Sequence, residues 1–444
     1  MGGESSRPGS KAIPSKIEWK RIKKVIINFK KKYPKIFLSV DTQKSEVMIK
    51  AIKNKSDLIN DVSGFKYDNG AIDKIKQFDV WKVLHHMQGT PNTMQINPKY
   101  KNGLLDLYDF FEKKIALPLC GKKDLAFDNI EIISRDKSTK LINIKNIKKL
   151  PNEIKKNVLV DIKKIISKRK NLNKYTNISK PLIMGILNLT PDSFSDGGLY
   201  NKSKQAFRHI KDMISSGADI IDIGGESTRP GSKDVPHQIE WKRLEKIISK
   251  FKKKFPKVFL SIDTRKSDVM LKAIKNKSDL INDVSGFNYD SESIEKIKNY
   301  DVCKVLHHMQ GTPGNMQINP TYQNVLLDIY DFFEEKINTD FKKFKYKKFI
   351  IDPGIGFGKN LKHNLILMHN ISLFHSLGFP LLIGTSRKKF INQISGRFDS
   401  KERIGGTLAS VLYTLQQGVQ IFRVHNVNEV KQAILIYKKI ISIK

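Results

Sequence analysis

Cysteine is nearly absent from this 444-residue chain: Cys120 and Cys303 are the only two. Two thiols this far apart imply no disulfide framework, and a reducing cytoplasm is the expected compartment. Long apolar runs are missing as well. No window approaches the roughly 18 apolar residues that a membrane helix needs, so no membrane partner is expected. The opening Met1-Gly-Gly-Glu-Ser-Ser-Arg-Pro8 has no apolar core of the secretory type. Acidic residues are scarce beside basic ones, 44 against 81, for a formal charge of +37. The excess is mostly Lys, spread along every helix-like segment, as in Lys250–Lys254 and Lys342–Lys348. Nucleic-acid binding would gather it into one patch with stacking aromatics. Dispersed lysines read instead as solvated helix faces, whose field favours anionic small substrates.

What the chain does have is part of itself twice. Gly2–Ile115 align without a gap to Gly224–Ile337, and 83 of 115 positions counted from Met1 are identical. Gly2 and Ser6 fit a short lipidation pattern, but as repeat positions they align with Gly224 and Thr228. From Pro181 onward, short β-rich apolar runs alternate with amphipathic helical stretches. The runs are Leu182–Leu189, Ala218–Gly225, Val258–Thr264, Leu280–Gly286, Cys303–Met309, Phe349–Gly354, Leu381–Ser386 and Gln420–His425. Near-continuous apolar strands separated by helices imply a parallel sheet covered on both faces. Eight such units point to a (β/α)8 TIM barrel over residues 181–444. Residues 1–115 hold equivalents of the third to fifth strands (Ile36–Thr42, Leu58–Gly64, Lys82–Met87), an incomplete barrel fragment. Residues 116–180 read as a Lys-rich extension or linker, with a strand-like Ile130–Ser134 and helical periodicity from Glu153 to Lys170.

In a parallel barrel the chemistry sits at the C-terminal ends of the strands, where the loops converge on one mouth. Most of the predicted strands end in polar residues: Asn188–Gly198, Gly224–Gly231, Asp263-Thr-Arg265, Asn282-Asp283, His307-His308, Asp352–Lys359, Ser386–Lys388 and Arg423-Val-His425. Asp263, Asn282 and Asp352 suit the donor and acceptor edge of a flat heterocycle. Arg229, Lys388, Arg423 and His425 suit a phosphate-type group. A nitrogen heterocycle carrying a phosphate or pyrophosphate satisfies both. Adjacent strand residues face opposite ways, so His307 and His308 cannot share a metal ion. Glu226 and Asp283 fit caps or barrel salt bridges equally well.

This ordered set of motifs resembles the dihydropteroate synthase family, fully over 181–444 and partially over 2–115. The resemblance implies condensation of 6-hydroxymethyl-7,8-dihydropterin pyrophosphate with p-aminobenzoate, giving 7,8-dihydropteroate and pyrophosphate in folate biosynthesis. It implies that Asn188 helps hold Mg²⁺ with the pyrophosphate. It places Thr228, Arg229, Ser386, Arg423 and His425 at the pyrophosphate or p-aminobenzoate. Asp263, Asn282, Asp352 and Lys388 would line the pterin slot, with Phe357 and Gly384 near it, and Asp352, Lys388, Arg423 and His425 would carry the chemistry. Loops containing Phe194 and Pro230 would frame the p-aminobenzoate, whose mimics are sulfonamides, and a homodimer is expected. Asn426 and Ile355 depart from the family pattern. The fragment keeps Arg7, Asp41 and Asn60 but has no counterpart of Asn188, Asp352, Lys388, Arg423 or His425, and Gln43 replaces Arg265, so it is expected to be inactive. A methyltetrahydrofolate–corrinoid methyltransferase shares barrel and pterin slot but needs neither the Ser-Arg-Lys nor the Arg-Val-His cations. A non-catalytic barrel subunit would not need so complete a set.

Overall fold

The computed structural model describes residues 1–68, 70–75, 77–85, 87, 89–96, 117–135, 138–190, 199–228 and 231–442. It divides into two compact units, 1–115 and 116–443.

The first unit runs α1 (Ser15–Lys32), β1 (Ser39–Asp41), α2 (Ser45–Lys53), β2 (Leu58–Asp61), α3 (Ala71–Ile75) and β3 (Trp81–Leu84). Its three strands are parallel in the order β1-β2-β3, with Asp41 beside Asn60. Helices cover one face, where Ile22, Ile26, Val40, Met48, Ile59 and Ile75 form a core. On the other face Phe37 and Trp81 are 56% and 71% exposed. Their counterparts in the repeat, Phe259 and Cys303, are 1% and 2% exposed inside a barrel. Parallel strands are normally covered on both sides. Leaving such side chains in water forgoes roughly 1.5–3 kcal/mol each.

The second unit opens with two hairpins, β4 (Leu117–Leu119) with β5 (Lys122–Phe127) and β6 (Asn129–Ile132) with β7 (Lys140–Asn143). Helix α4 (Asn152–Ile166) then packs on the turn Ile371–Leu377. Next come β8 (Leu182–Asn188), α5 (Leu199–Ser215), β9 (Ile220–Gly224), α6 (His237–Lys254), β10 (Phe259–Asp263) and α7 (Ser267–Lys275). They are followed by β11 (Leu280–Asp283), α8 (Ser293–Ile297), β12 (Cys303–His307), α9 (Val325–Asn338), β13 (Phe349–Asp352) and α10 (Leu361–His369). The last elements are β14 (Leu382–Ile383), α11 (Lys389–Ser395), α12 (Ile404–Gln416), β15 (Ile421–Val424) and α13 (Val427–Ile441). The eight strands β8–β15 are parallel in the order β13-β12-β11-β10-β9-β8-β15-β14, and a bridge from Ile351 to Leu381 joins the ends. This is the (β/α)8 barrel that the alternation predicts.

Period-two alternation sends β8 to two cores. Leu182 and Met184 fill the barrel interior with Ile220, Phe259, Cys303 and Ile421. Ile183 and Leu187 face the helix layer. Helix α6 presents Leu244, Ile247, Ile248 and Phe251, spaced at three and four residues, to the same layer. Asn324 and Asn360 cap α9 and α10 by accepting from backbone N–H groups of their first turns. The seventh strand is shorter than the apolar run suggests, only Leu382–Ile383. Pro380 before it carries no N–H to donate, and after Ile383 the chain bends into a turn where Arg387 has φ +59°.

Ile59→Ala on the covered face should destabilise the first unit by about 2–5 kcal/mol. Trp81→Ser on the open face should change it by less than about 0.5 kcal/mol. Amide exchange of residues 58–61 in the full chain reads both.

Candidate active site

The strand register sets the mouth. Asp263 pairs with both Gly224 and Asn282, Asn188 with Gly224, and His307 with Asp352, so the polar strand ends form one ring. At its centre Arg423 is clamped by two carboxylates. Its Nε donates to Asp222 Oδ2 at 2.6 Å and its Nη2 to Asp263 Oδ2 at 2.7 Å. Ser261 Oγ and Asn282 Nδ2 also donate to Asp222, at 2.5 and 3.3 Å. Arg423 therefore sits neutralised between aspartates, which raise its pKa against the opposing effect of burial. Burial pushes the Asp263 carboxyl up, opposed by Arg423 and reinforced by Asp222. Asp263 Oδ1 is buried and accepts no hydrogen bond among the described residues.

Beside this clamp lies a narrow slot lined by Asn282, Asp352, Phe357, Gly384, Lys388 and Arg423, with Val284, His307 and Ile355 completing the wall. Asp352 accepts from the Gly354 amide at 2.8 Å, and burial lifts its pKa to about 6. His307 Nδ1 donates to Val284 O at 2.9 Å, leaving Nε2 as the bare nitrogen, 4.0 Å from Asp352 Oδ2. Burial, reinforced by Lys359 and Lys388, holds that imidazole neutral. Phe357 stands edge-on to His307 with centroids 4.6 Å apart, and Lys388 Nζ lies 3.8 Å from its ring centre. Burial, helped by the Arg423 charge, lowers Lys388 to about 7.

The loop after β13 is pinned on several sides. Lys359 Nζ donates to His308 Nδ1 at 3.0 Å and to Phe357 O at 2.9 Å. Gln317 Nε2 donates to Gly356 O, and the Gly356 amide to Asn364 Oδ1. Gly354 has φ +71°, and a Cβ there would lie 1.9 Å from His308 O, so only glycine fits. The Gly-rich stretch is thus a close backbone approach.

On the other side of the mouth, Ser386 Oγ and His425 Nδ1 are 3.1 Å apart, and the His425 amide donates back to Ser386 Oγ. Asn426 takes both Arg387 Nε and Nη2 on its Oδ1, at 3.0 and 2.7 Å, which gives this unexpected residue a defined partner. Thr228 is half-buried. Arg229 and Pro230, with Phe194, lie outside the described residues. Glu226 pairs with Arg265 and Lys266, and Asp283 caps its own turn by accepting from Ser285 and Phe287, so one is a salt bridge and the other a cap. His308 leaves the slot to His307 and packs edge-on against Phe332.

The slot thus unites Asn282, Asp352, Phe357, Gly384, Lys388 and Arg423 from separate strand ends, with Asp263 tied on through Arg423. Sequence reasoning missed Asp222. Its signal was an acid inside the apolar run Ile220-Ile-Asp-Ile-Gly224, since a buried carboxylate implies a partner. It also gave no role to Lys359. Asp352, raised by burial, favours folding below its unfolded pKa near 3.8 and loses that contribution as pH rises through about 6. Asp352→Asn should therefore raise the melting temperature above pH 6 and leave it nearly unchanged at pH 4, read by calorimetry across that range.

The chain is similar to known proteins. The family described as pterin binding enzyme matches residues 1–169 and 184–425. The chain is 39% identical over 269 residues to the dihydropteroate synthase of Escherichia coli K12, covering 60% of this chain and 94% of that protein. It is 41% identical over 268 residues to the Neisseria meningitidis serogroup B enzyme, covering 59% and 93%. A solved Yersinia pestis dihydropteroate synthase with a sulfonamide drug complex superposes with TM-score 0.54 at 40% identity, covering 60% and 95%. The Xanthomonas albilineans enzyme in complex with 7,8-dihydropteroate does so with TM-score 0.54 at 31% identity, covering 60% and 96%.

Proposed function

Because the chain belongs to the pterin-binding enzyme family, we propose that the mouth of its barrel carries out the dihydropteroate synthase reaction through the residues described above. The chain is a transferase that condenses 6-hydroxymethyl-7,8-dihydropterin pyrophosphate with p-aminobenzoate to give 7,8-dihydropteroate and pyrophosphate. The observation that carries the site assignment is the slot that gathers Asn282, Asp352, Lys388 and Arg423. A flat pterin entering it meets the Asn282 amide and the Asp352 carboxylate, with Asp263 tied to the slot through Arg423. Phe357 and Ile355 supply apolar walls.

The reaction breaks the bond between the pterin methylene carbon and the pyrophosphate oxygen, and the electron pair leaves with pyrophosphate. Positive charge develops on the methylene and spreads into the pterin ring, where Asp352 stabilises it. The amine of p-aminobenzoate forms the new C–N bond and gives up a proton. Lys388, lowered to about 7 by burial, gains charge as an anionic substrate approaches, because the added negative charge favours its protonated form. Thr228, Arg229, Ser386 and His425 are assigned to the pyrophosphate and p-aminobenzoate side. Sulfonamides, as p-aminobenzoate mimics, would compete there.

Mg²⁺ is assigned to the pyrophosphate. Asn188 ends β8 at the mouth, where a Cβ on Gly224 would stand 3.6 Å from its Oδ1. One amide oxygen suits a hard cation that takes its other ligands from phosphates and water. When bound, the ion would neutralise charge on the departing pyrophosphate. Among the described residues no helix is long and apolar enough to cross a membrane. Cytoplasmic location and a homodimer belong to this proposal. The partially exposed apolar side chains Leu365, Ile394 and Tyr413 around the cleft between α10, α11 and α12 support the dimer.

The fragment is assigned no catalysis, since Asp41 and Asn60 stand there without any equivalent of Asp222, Asp352 or Arg423. Pterin- and p-aminobenzoate-dependent pyrophosphate release tests this. Asp263→Asn should reduce kcat/KM at least about 100-fold, a loss typical of a group that positions the reacting centre, while Asp41→Asn leaves it unchanged. Equal losses from both would overturn the assignment. The pH profile of kcat/KM should rise through about 6 as Asp352 ionises and fall above about 7 as Lys388 loses its proton.

A further inference from the structure

Three successive loops at the mouth, those after β9, β10 and β11, are tied together by a cluster that takes no part in lining the slot. Arg265, just past β10, is 5% exposed. Its Nε donates to Glu226 Oε2 at 3.0 Å, and its Nη2 donates to Glu226 Oε1 at 3.3 Å and Asp234 Oδ1 at 3.2 Å. Both acids lie between β9 and α6. The guanidinium also stands over the ring of Tyr289, 3.9 Å from its centre, and the Tyr289 hydroxyl donates to Asp234. Tyr289 comes from the loop after β11. The Asp234 side chain is 54% exposed, and a lone ion pair to it would contribute little. Here the guanidinium is buried, stacked on an aromatic ring and forked between two carboxylates, the arrangement in which arginine holds best.

The internal repeat shows that folding does not require this cluster. The first copy keeps Glu4, Glu18, Lys44 and Tyr67 where the second has Glu226, Glu240, Lys266 and Tyr289. It has Gln43 in place of Arg265 and Ala12 in place of Asp234. Its loop nevertheless makes the same internal bonds. The Ile13 amide donates to Glu4 Oε1 at 2.7 Å, as the Val235 amide does to Glu226 Oε1 at 2.9 Å. The Gly9 amide donates to Pro91 O at 2.9 Å, and the Gly231 amide to Pro313 O at 3.0 Å. Ser10 Oγ donates to Ser5 O and Ser232 Oγ to Ser227 O, both at 2.6 Å. Bonds common to both copies therefore set the loop's shape. Both halves of the Arg265–Asp234 pair are missing together from the copy that lacks Asp352, Lys388 and Arg423, and both are present in the copy that has them. That pattern follows the chemistry of the mouth, not the fold.

We propose that Arg265 is a positioning residue: with Asp234 and Tyr289 it latches the loop of residues 226–235 to its two neighbours. The loop contains Thr228 and Arg229, so the proposal rests on their assignment to the pyrophosphate and p-aminobenzoate. The shared bonds define where the loop lies, and the latch reduces how often it leaves. A loop in place for only part of the time lowers apparent affinity in the same proportion. Arg265 acts through the loop, because its N–H groups are directed at Glu226 and Asp234.

Arg265→Gln and Asp234→Ala, the residues of the first copy, test this in the full chain, singly and together. In pyrophosphate release, each should raise KM for p-aminobenzoate about tenfold, as for a loop in place about a tenth of the time. Turnover at saturation should stay within about twofold, since no group at the reacting centre is removed. The double variant should be no worse than the worse single one, because both substitutions cut one tie. Amide exchange of residues 226–228 and 231–235 should quicken in all three variants, while residues 280–283 stay unchanged. Unmoved KM and loop exchange in Arg265→Gln, a fall in kcat with KM unmoved, or additive losses in the double variant would each overturn the latch. Pyrophosphate release by the unaltered chain tests the synthase reading separately. With turnover present there and KM and exchange unmoved in Arg265→Gln, only the latch falls.

Discussion

The bridge from Asp222 through Arg423 to Asp263 is the interaction on which the mouth depends. All three groups are largely withdrawn from water, and each is tolerable only because the others are present. Removing the arginine would leave two buried carboxylates facing one another, a loss of several kcal/mol. The clamp also sets the chemistry around it. It orients Ser261 and Asn282 through Asp222 and occupies one oxygen of Asp263. Its charge also helps keep Lys388 close to neutral.

Strand register makes the clamp possible. In a parallel barrel the C-terminal ends of all eight strands reach the same rim, so residues scattered from Asn282 to Arg423 meet within one slot. The loop after β13 needs the glycine at 354, where any side chain would collide with His308 O. Lys359, buried against His308 and Phe357, then keeps that loop against the fifth strand.

The two copies separate local from non-local causes. Residues 51–60 and 273–282 are identical, and the helices before them end at matching points, Lys53 and Lys275. The left-handed turns recur as well: Lys55 and Lys277 have φ +66° and +67°, and Phe65 and Phe287 have +62° and +64°. The Lys44–Glu18 pair repeats as Lys266–Glu240. Yet Phe37 lies open and Phe259 is sealed. The same local sequence builds the same strand–helix units, and whether their inner face is buried depends on the five strands that only the second copy possesses.

The barrel was legible in the sequence because apolar period and strand spacing are local signals, and so was the ring of polar strand ends. Asp352, Lys388, Asn282 and Phe357 could be named from motifs lying just past apolar runs. Asp222 was missed although an acid inside an apolar run implies a partner, because that partner, Arg423, lies about two hundred residues away in the chain. Nor could the state of Arg423 be read: as sequence it is a cation available to phosphate, whereas in the barrel it is shared between two aspartates. The segment 116–180 carried no readable chemistry, yet folding sets Arg169 and Gln420 side by side beneath the strands. The sequence by itself determined which units form and which residues stand at their ends. Tertiary structure decided which charges meet, since burial and pairing depend on the distances created when the barrel closes.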